Sequence, residues 1–154
     1  PGNEVRLMSA YFVTCTGYET DEDGNVTVVH ATYDPETKSG SGFTGRKVKG
    51  TIHWVSATEG SPVEVRLYEN IVDENIVDEE KGVYNEDGSI NVNPNSLTVL
   101  KECYMEPALK EAKPGDKFQF MRTGFFCVDT KDTTAEHMVF NRIVSLKSSY
   151  RPNK

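Results

Sequence analysis

Residues 118–129 read FQFMRTGFFCVD, and their pattern sets the fold class expected of this 154-residue chain. Apolar Phe118 and Phe120 alternate with polar Gln119, which is the two-residue period of a strand with one buried face. The same period recurs at residues 5–15, 63–68 and 138–147. The 3.6-residue period of a long helix does not recur. The pattern therefore predicts a chain built from short β-strands.

Turn-forming residues separate these runs. Glycine and asparagine tolerate a positive φ and proline fixes φ, so pairs of these residues mark turns. The predicted turns are Asp23-Gly24-Asn25, Asp34-Pro35, Asp87-Gly88, Asn93-Pro94 and Pro114-Gly115. One short helix is expected, beginning at Pro107 and continuing through residues 108–112. Many short strands with frequent turns and almost no helix predict an all-β barrel or sandwich.

The charge of the chain at first argues against a nucleic-acid binder. The net charge is -7, from 24 acidic and 17 basic residues, whereas a basic surplus is the usual sign of nucleic-acid binding. However, ten of the 24 acidic residues lie in two runs, residues 19–23 and 69–80. The other 14 are outnumbered by the 17 basic residues. Neither run has the spacing of a calcium loop, so both are predicted to be solvated loops. The charge distribution is therefore compatible with an RNA-binding face.

Residues that would carry catalysis or bind a metal do not form a recognisable pattern. Three cysteines (Cys15, Cys103, Cys127) and three histidines (His30, His53, His137) are scattered, without the spacing of a zinc site. The motifs GxSxG, HExxH and GxxxxGK[ST] do not occur. We therefore expect no catalytic residue and no metal site in this chain, and reduced thiols in a cytoplasmic protein.

The ends and the hydropathy of the chain bear on its context. No run approaches the roughly 20 apolar residues of a membrane span, so no membrane partner is expected. The first residues, PGNEVRL, lack the layout of a signal peptide and a starting methionine. The sequence is therefore interpreted as a piece of a longer protein.

Two groups of polar residues have neighbours that suit RNA. Gln119 and Arg122 lie among phenylalanines, and a basic group at residues 46–49 precedes His53 and Trp54. Proteins read unpaired bases by stacking them on aromatic or guanidinium planes and by hydrogen-bonding their edges with amide and guanidinium groups. From the residues alone, the alternative is that the phenylalanines form a core and Arg122 only extends over it.

Four segments together resemble the C-terminal anticodon-binding region of glutaminyl-tRNA synthetase. They are GRKVKGTIHWVS (45–56), PVEVRLY (62–68), FQFMRTGFFCVD (118–129) and TAEHMVFNRI (134–143). The resemblance implies two six-stranded antiparallel β-barrels with exchanged strands, related to a ribosomal protein barrel that binds 5S RNA. Residues 1–50 would be the C-terminal part of the distal barrel, which is incomplete in this fragment. Residues 51–154 would form the proximal barrel.

The resemblance also implies RNA-binding residues. Arg6 matches an arginine at the anticodon loop, where it would contact a phosphate or the first anticodon base. Met8 stands where well-studied members have a second arginine. Gln119 and Arg122 match residues at the pocket for the central uracil of the anticodon. Lys147 and Ser149 replace an arginine and a threonine near that pocket, and would contact the same RNA.

The implied partners are the anticodon loop of glutamine tRNA and the catalytic domain of the same protein. The parent would be a glutamine-tRNA ligase that uses ATP and magnesium, while this fragment would carry no catalytic residue and hold no cofactor. Missing strands would leave unpaired edges, so the fragment is expected to swap strands or dimerise. Three alternatives stay open: an archaeal- or eukaryotic-type glutamyl-tRNA synthetase domain, a ribosomal-type barrel that binds 5S RNA, and a barrel that does not bind RNA.

Overall fold

The computed structural model describes residues 1–72 and 82–146, and the chain divides into two compact units, Pro1–Trp54 and Val55–Lys154. Its regular structure is β apart from short 3₁₀ helices, which confirms the all-β prediction. The strands are β1 (Glu4–Leu7), β2 (Phe12–Thr20), β3 (Val26–Asp34), β4 (Thr51–Ile52), β5 (Ser61–Tyr68), β6 (Leu97–Met105), β7 (Lys117–Phe120), β8 (Gly124–Val128) and β9 (Val139–Ser145). Assignment of residues 1–50 and 51–154 to distal and proximal barrels stays a prediction.

The first unit contains a four-stranded sheet in the order β3-β2-β1-β4. Neighbouring strands are antiparallel except β1 and β4, which are parallel. The prediction of one extended run over residues 5–15 is wrong, because a tight turn separates β1 from β2. Ser9 has φ 57° there, and the backbone N–H of Leu7 donates to the carbonyl of Tyr11 at 2.9 Å. Alternating apolar residues do not reveal such a turn when it contains no glycine or proline.

Four of the five predicted turns occur where the sequence places them, and at Asp34-Pro35 the strand β3 is followed by a short 3₁₀ helix, Pro35–Thr37. In the β2–β3 turn, Gly24 has φ 84° and the Asp21 carboxylate accepts from the backbone N–H groups of Asp23 and Asn25. The short helix also forms, as a 3₁₀ helix over Pro107–Glu111. No helix in the described part of the chain has the length and apolar character needed to cross a membrane.

The core of the first unit is small and includes one buried hydroxyl. Phe12 is buried, and its ring meets that of Phe43 edge-on at 5.9 Å between centroids. Thr37 is fully buried, and its Oγ1 accepts from the backbone N–H of Phe12 at 2.8 Å and donates to the carbonyl of Asp34 at 2.7 Å. The hydroxyl thereby joins the start of β2 to the end of β3.

The second unit contains a five-stranded sheet in the order β6-β5-β9-β8-β7. The β5–β9 pair is parallel and the other pairs are antiparallel, so both sheets of the chain are mixed. Closure into six-stranded barrels and strand exchange stay predictions. Apolar side chains cover one face of this sheet and form the main core, with Leu109 of the 3₁₀ helix packed against it. The core residues are Val63, Val65, Met105, Leu109, Phe126, Val128, Met138 and Phe140.

Candidate nucleic-acid interface

The β7–β8 hairpin carries two of the residues expected to contact RNA. Phe120 pairs with Gly124, which leaves a three-residue loop of Met121, Arg122 and Thr123. Arg122 occupies the left-handed region with φ 66°, and the backbone N–H of Thr123 closes the turn on the carbonyl of Phe120 at 2.9 Å. Gln119 is exposed on β7, one residue before this turn, so the structure brings the predicted pair together in one hairpin.

Gly124 fixes the start of β8 against β9. A Cβ at this position would lie 2.7 Å from the carbonyl oxygen of Val144 and 3.3 Å from the ring of Phe126. Real Cβ atoms do not approach backbone oxygen so closely, so only glycine fits without a shift of the strands. The close approach of β8 to β9 at this point therefore depends on glycine.

Of the four phenylalanines of the hairpin, Phe126 is buried in the core, Phe118 and Phe120 are partly buried and pack against it, and Phe125 is exposed. Phe120 stacks on Phe126 at 4.6 Å between centroids, and Phe118 and Phe120 meet Phe140 edge-on at 6.4 and 5.2 Å. Phe126 is 1% exposed, whereas its neighbour Phe125 is 40% exposed. The interpretation of the phenylalanines as core is therefore confirmed for three of them and wrong for Phe125, because consecutive strand residues point to opposite faces.

Phe125 lies in an exposed row that crosses three strands. It is paired with Gln119 on one side and with Val144 on the other, and all three residues are exposed. We call Gln119, Phe125 and Val144 the outer row. Directly opposed residues of antiparallel strands have Cβ atoms about 4.5–5.5 Å apart on the same face of the sheet. The amide and the ring are therefore neighbours on the surface away from the core, and Val144 lies beside the ring where the register of the β8–β9 ladder shifts between Phe125 and Phe126.

An acidic residue at the end of β8 organises the polar side of this unit. Asp129 accepts from the backbone N–H groups of Lys131 and Asp132 at 2.8 and 2.6 Å, and from the Asn141 amide at 2.6 Å. These bonds, above all the one from the N–H of Asp132, lower the pKa of Asp129. The Asn141 oxygen in turn accepts from the hydroxyl of Tyr68 at 3.2 Å. The network joins β5 and β9 to the loop after β8.

Arg66 pairs with the acidic residues of the same region. Its Nη1 lies 2.6 Å from Asp132 and 3.9 Å from Asp129, and its Nε lies 2.7 Å from Glu64. Hydrogen bonds to Asp132 and Glu64 raise the pKa of Arg66 above its already high ordinary value. The guanidinium offsets part of the negative charge of these three carboxylates.

Sequence reasoning missed Phe125, Arg66, Asp129 and Asn141. A signal for Phe125 was present, since in FFCV two adjacent phenylalanines of a strand cannot face the same side. Glu64 and Arg66 likewise alternate with the buried Val63 and Val65 in the sequence. No comparable signal pairs Asp129 with Asn141, because their contact depends on how β8 and β9 align.

Arg6, in the first unit, makes contacts within the protein. Its Nη1 donates to Ser39 Oγ at 2.8 Å and to the carbonyls of Ala10 and Thr37 at 3.3 and 3.4 Å. Its Cζ also lies 4.3 Å from the centroid of the Phe12 ring. These contacts hold the loop after β3 to the sheet. Contact of Arg6 with RNA stays a prediction.

Arg46, from the basic group before His53, is also bound to the protein. Its Nη2 lies 2.6 Å from Glu4 and 2.8 Å from Asp34. Hydrogen bonds from Arg46 lower the pKa of both carboxyl groups. The pairing anchors the loop before β4 to β1 and β3. Lys147 and Ser149, the other two residues expected to contact RNA, lie outside the described residues.

An all-β unit with an exposed amide, an exposed ring and a hairpin arginine has the features of modules that bind unpaired bases. Comparison with known families narrows this class. Residues 51–129 match a family described as "tRNA synthetases class I (E and Q), anti-codon binding domain", and residues 1–34 match a second family with the same description. The chain belongs to this family of anticodon-binding domains.

Individual relatives agree with the family assignment. The chain is 57% identical to a glutamine–tRNA ligase of Clostridioides difficile over 155 aligned positions, which cover 100% of the chain and 27% of that protein. A ligase of the same name from Clostridium perfringens is 55% identical over 98% of the chain and 26% of its own length. The Vibrio vulnificus ligase is 43% identical over 97% of the chain and 26% of its own length. The chain spans about a quarter of the length of these relatives.

Proposed function

We propose that this chain is the anticodon-binding region of a glutamine–tRNA ligase and that it reads the central anticodon base through Gln119 and Arg122. The family membership of both units supports binding of an anticodon. The names of the relatives support glutamine tRNA as the RNA that carries it. The observation that carries the site is the exposed position of Gln119 on β7, two residues before the hairpin loop that holds Arg122.

The two side chains have complementary chemistry for a uracil. A glutamine amide offers both donors and an acceptor, and a uracil edge offers both as well, so one side chain can make a paired contact. A guanidinium offers donors only, to the O2 or O4 atom or to a phosphate oxygen. The domain makes and breaks no covalent bond in this proposal. It contributes binding energy that favours one tRNA over others.

The other predicted contacts form a second part of the proposal. Lys147 and Ser149 would add charge and a hydroxyl near the same base. Arg6 would contact a phosphate or the first anticodon base. Since Nη1 of Arg6 donates within the protein, its Nε or Nη2 would have to reach the RNA. Binding of the first base would then depend on fewer cations, because Met8 stands where an arginine is expected.

The parent protein in this proposal joins glutamine to its tRNA with ATP and magnesium, in the cytoplasm. A catalytic domain of the same protein would hold both, and none of the residues described above is proposed as a ligand for them. Binding of the anticodon would then raise the preference for the correct tRNA at a distant active site.

Filter binding of the full-length protein tests the proposal. We expect wild type to prefer glutamine tRNA over a tRNA with a changed central base, and Gln119→Ala to lose about 1–3 kcal/mol of that discrimination. Asn95→Ala removes another exposed amide of the same unit and should leave discrimination unchanged. Equal binding of 5S RNA, or tighter binding of glutamate tRNA, would contradict the proposal and favour one of the alternatives.

A further inference from the structure

The ring of Phe125 is exposed in a sheet that buries its other phenylalanines. Phe126 and Phe140 are 1% and 0% exposed, and Phe118 and Phe120 pack against them. Within the described residues, the Phe125 ring belongs to no aromatic pair or cation–π contact. Leaving a large apolar side chain in water forgoes the stabilisation that burial gives. An aromatic residue at this position therefore contributes less to the stability of the fold than the buried phenylalanines do.

The position of Phe125 on the sheet relates it to a residue of the proposed site. It lies directly opposite Gln119 in the β7–β8 ladder and has Val144 on its other side. Neighbouring strands are about 4.8 Å apart, so the Gln119 amide stands beside the ring on the same face. A flat group lying on the ring would present its edge toward the amide.

We propose that the Phe125 ring is the stacking platform for the anticodon base whose edge Gln119 reads, with Val144 closing the far side. The inference rests on the proposed function and adds a residue to its site. A pyrimidine ring matches a phenyl ring in size, and stacking on an aromatic side chain depends little on base identity. Phe125 would therefore supply affinity for the base, while Gln119 would supply discrimination between bases.

The charges around the outer row suit an RNA ligand. Lys117 lies two residues before Gln119 on β7 and is exposed, and Arg122 is exposed in the adjoining loop. Arg66 pairs with the carboxylates of Glu64 and Asp132 and offsets one of their two negative charges. A base entering with its phosphates would approach from the basic side of the sheet.

Affinity measurements on the full-length protein separate stacking from general loss of apolar surface. Phe125→Leu keeps the bulk but removes the flat ring, and should weaken binding of glutamine tRNA by about 5- to 150-fold. Phe125→Tyr should restore affinity. Tyr104→Leu removes an exposed aromatic ring from β6, at the opposite edge of the sheet, and should leave affinity unchanged. Wild-type affinity in Phe125→Leu, or equal losses in Phe125→Leu and Tyr104→Leu, would overturn the proposal.

Photocrosslinking gives a readout that loss of structure alone would not move. Glutamine tRNA with 5-iodouridine at the central anticodon position, irradiated on the wild-type protein, should crosslink to the peptide that contains Phe125. The same crosslink in Phe125→Tyr, and its loss in Phe125→Leu, would support stacking; a crosslink elsewhere in the wild type would overturn it. If Gln119→Ala abolishes discrimination while Phe125 gives neither crosslink nor affinity loss, the proposed function stands and this inference fails.

Discussion

The two units differ in what they do with the side chains that suit RNA. In the first unit, Arg6 and Arg46 are engaged with the protein itself, through carbonyls, a hydroxyl and two carboxylates. In the second unit, Arg66 is likewise engaged with carboxylates, whereas Gln119 and Phe125 are exposed. A basic residue in a sequence is thus a poor guide to a cation available for RNA.

The largest effect expected from this comparison concerns adjacent phenylalanines of β8. Phe126→Ala should lower the free energy of unfolding by about 3–5 kcal/mol, because it leaves a cavity beside Phe120. Phe125→Ala should cost far less stability and act on RNA binding instead. Hydrogen exchange of the full-length protein, read on peptides from β7 to β9, measures the stability of both variants. Equal loss of protection in the two variants would erase the distinction between core and surface rings.

The sequence predicts those features of the fold and of the candidate site that depend on neighbouring residues, and it does not predict contacts between residues far apart in the chain. The strand class, the turns and the short helix at Pro107 follow from local patterns, since period and turn chemistry are local properties. The break between β1 and β2 does not follow from a local pattern. Ser9 has a positive φ although it is not a glycine, and the turn is closed by the bond between Leu7 and Tyr11. The pairing of Gln119 with Phe125 requires the three-residue loop, and the pairing of Arg46 with Glu4 spans 42 positions.

A buried hydroxyl tests the internal bonding of the first unit. Thr37→Val keeps the shape of the side chain but leaves the backbone N–H of Phe12 without its acceptor. We expect a loss of about 1–3 kcal/mol in the free energy of unfolding. Protection of β2 peptides against hydrogen exchange measures it. Thr27→Val, at an exposed position of β3, is the matched control, and similar losses in both would mean that burial of the hydroxyl is unimportant.

The arginine of the loop before β4 should affect acid stability more than RNA binding. Arg46 lowers the pKa of Glu4 and Asp34 below their ordinary values of 4.5 and 3.8. A carboxyl group whose pKa is lowered by folding stabilises the folded state at any pH above its pKa in the unfolded chain. This stabilisation is lost as the pH falls through the pKa of the folded state. Arg46→Met should therefore flatten the acid limb of a stability–pH curve. If Arg46→Met left the acid limb unchanged and greatly weakened tRNA binding, Arg46 would be an RNA-binding residue and not a stabilising one.

The smallest effect on stability concerns the edge strands. β3 and β6 each lie at the edge of a sheet and carry exposed apolar residues such as Val28 and Val99. We predict that the isolated chain associates through such edges, and that Val28→Lys or Val99→Lys reduces association while changing stability by no more than about 0.5 kcal/mol. Sedimentation measures the association. A wild-type chain that is monomeric at micromolar concentration would contradict this prediction.

Gly124 has a consequence that reaches beyond its own position. A shift of one residue along a strand would turn Gln119 toward the core and Phe118 toward the RNA. Since a Cβ at position 124 has no room beside the carbonyl of Val144, the present alignment is available only while residue 124 is glycine. Base preference would thus depend on a residue that touches no nucleotide. Efforts to redirect this domain to another anticodon should vary residue 119 and keep the glycine, because any other residue at position 124 would displace β8 from β9 and disturb the surface that carries residue 119.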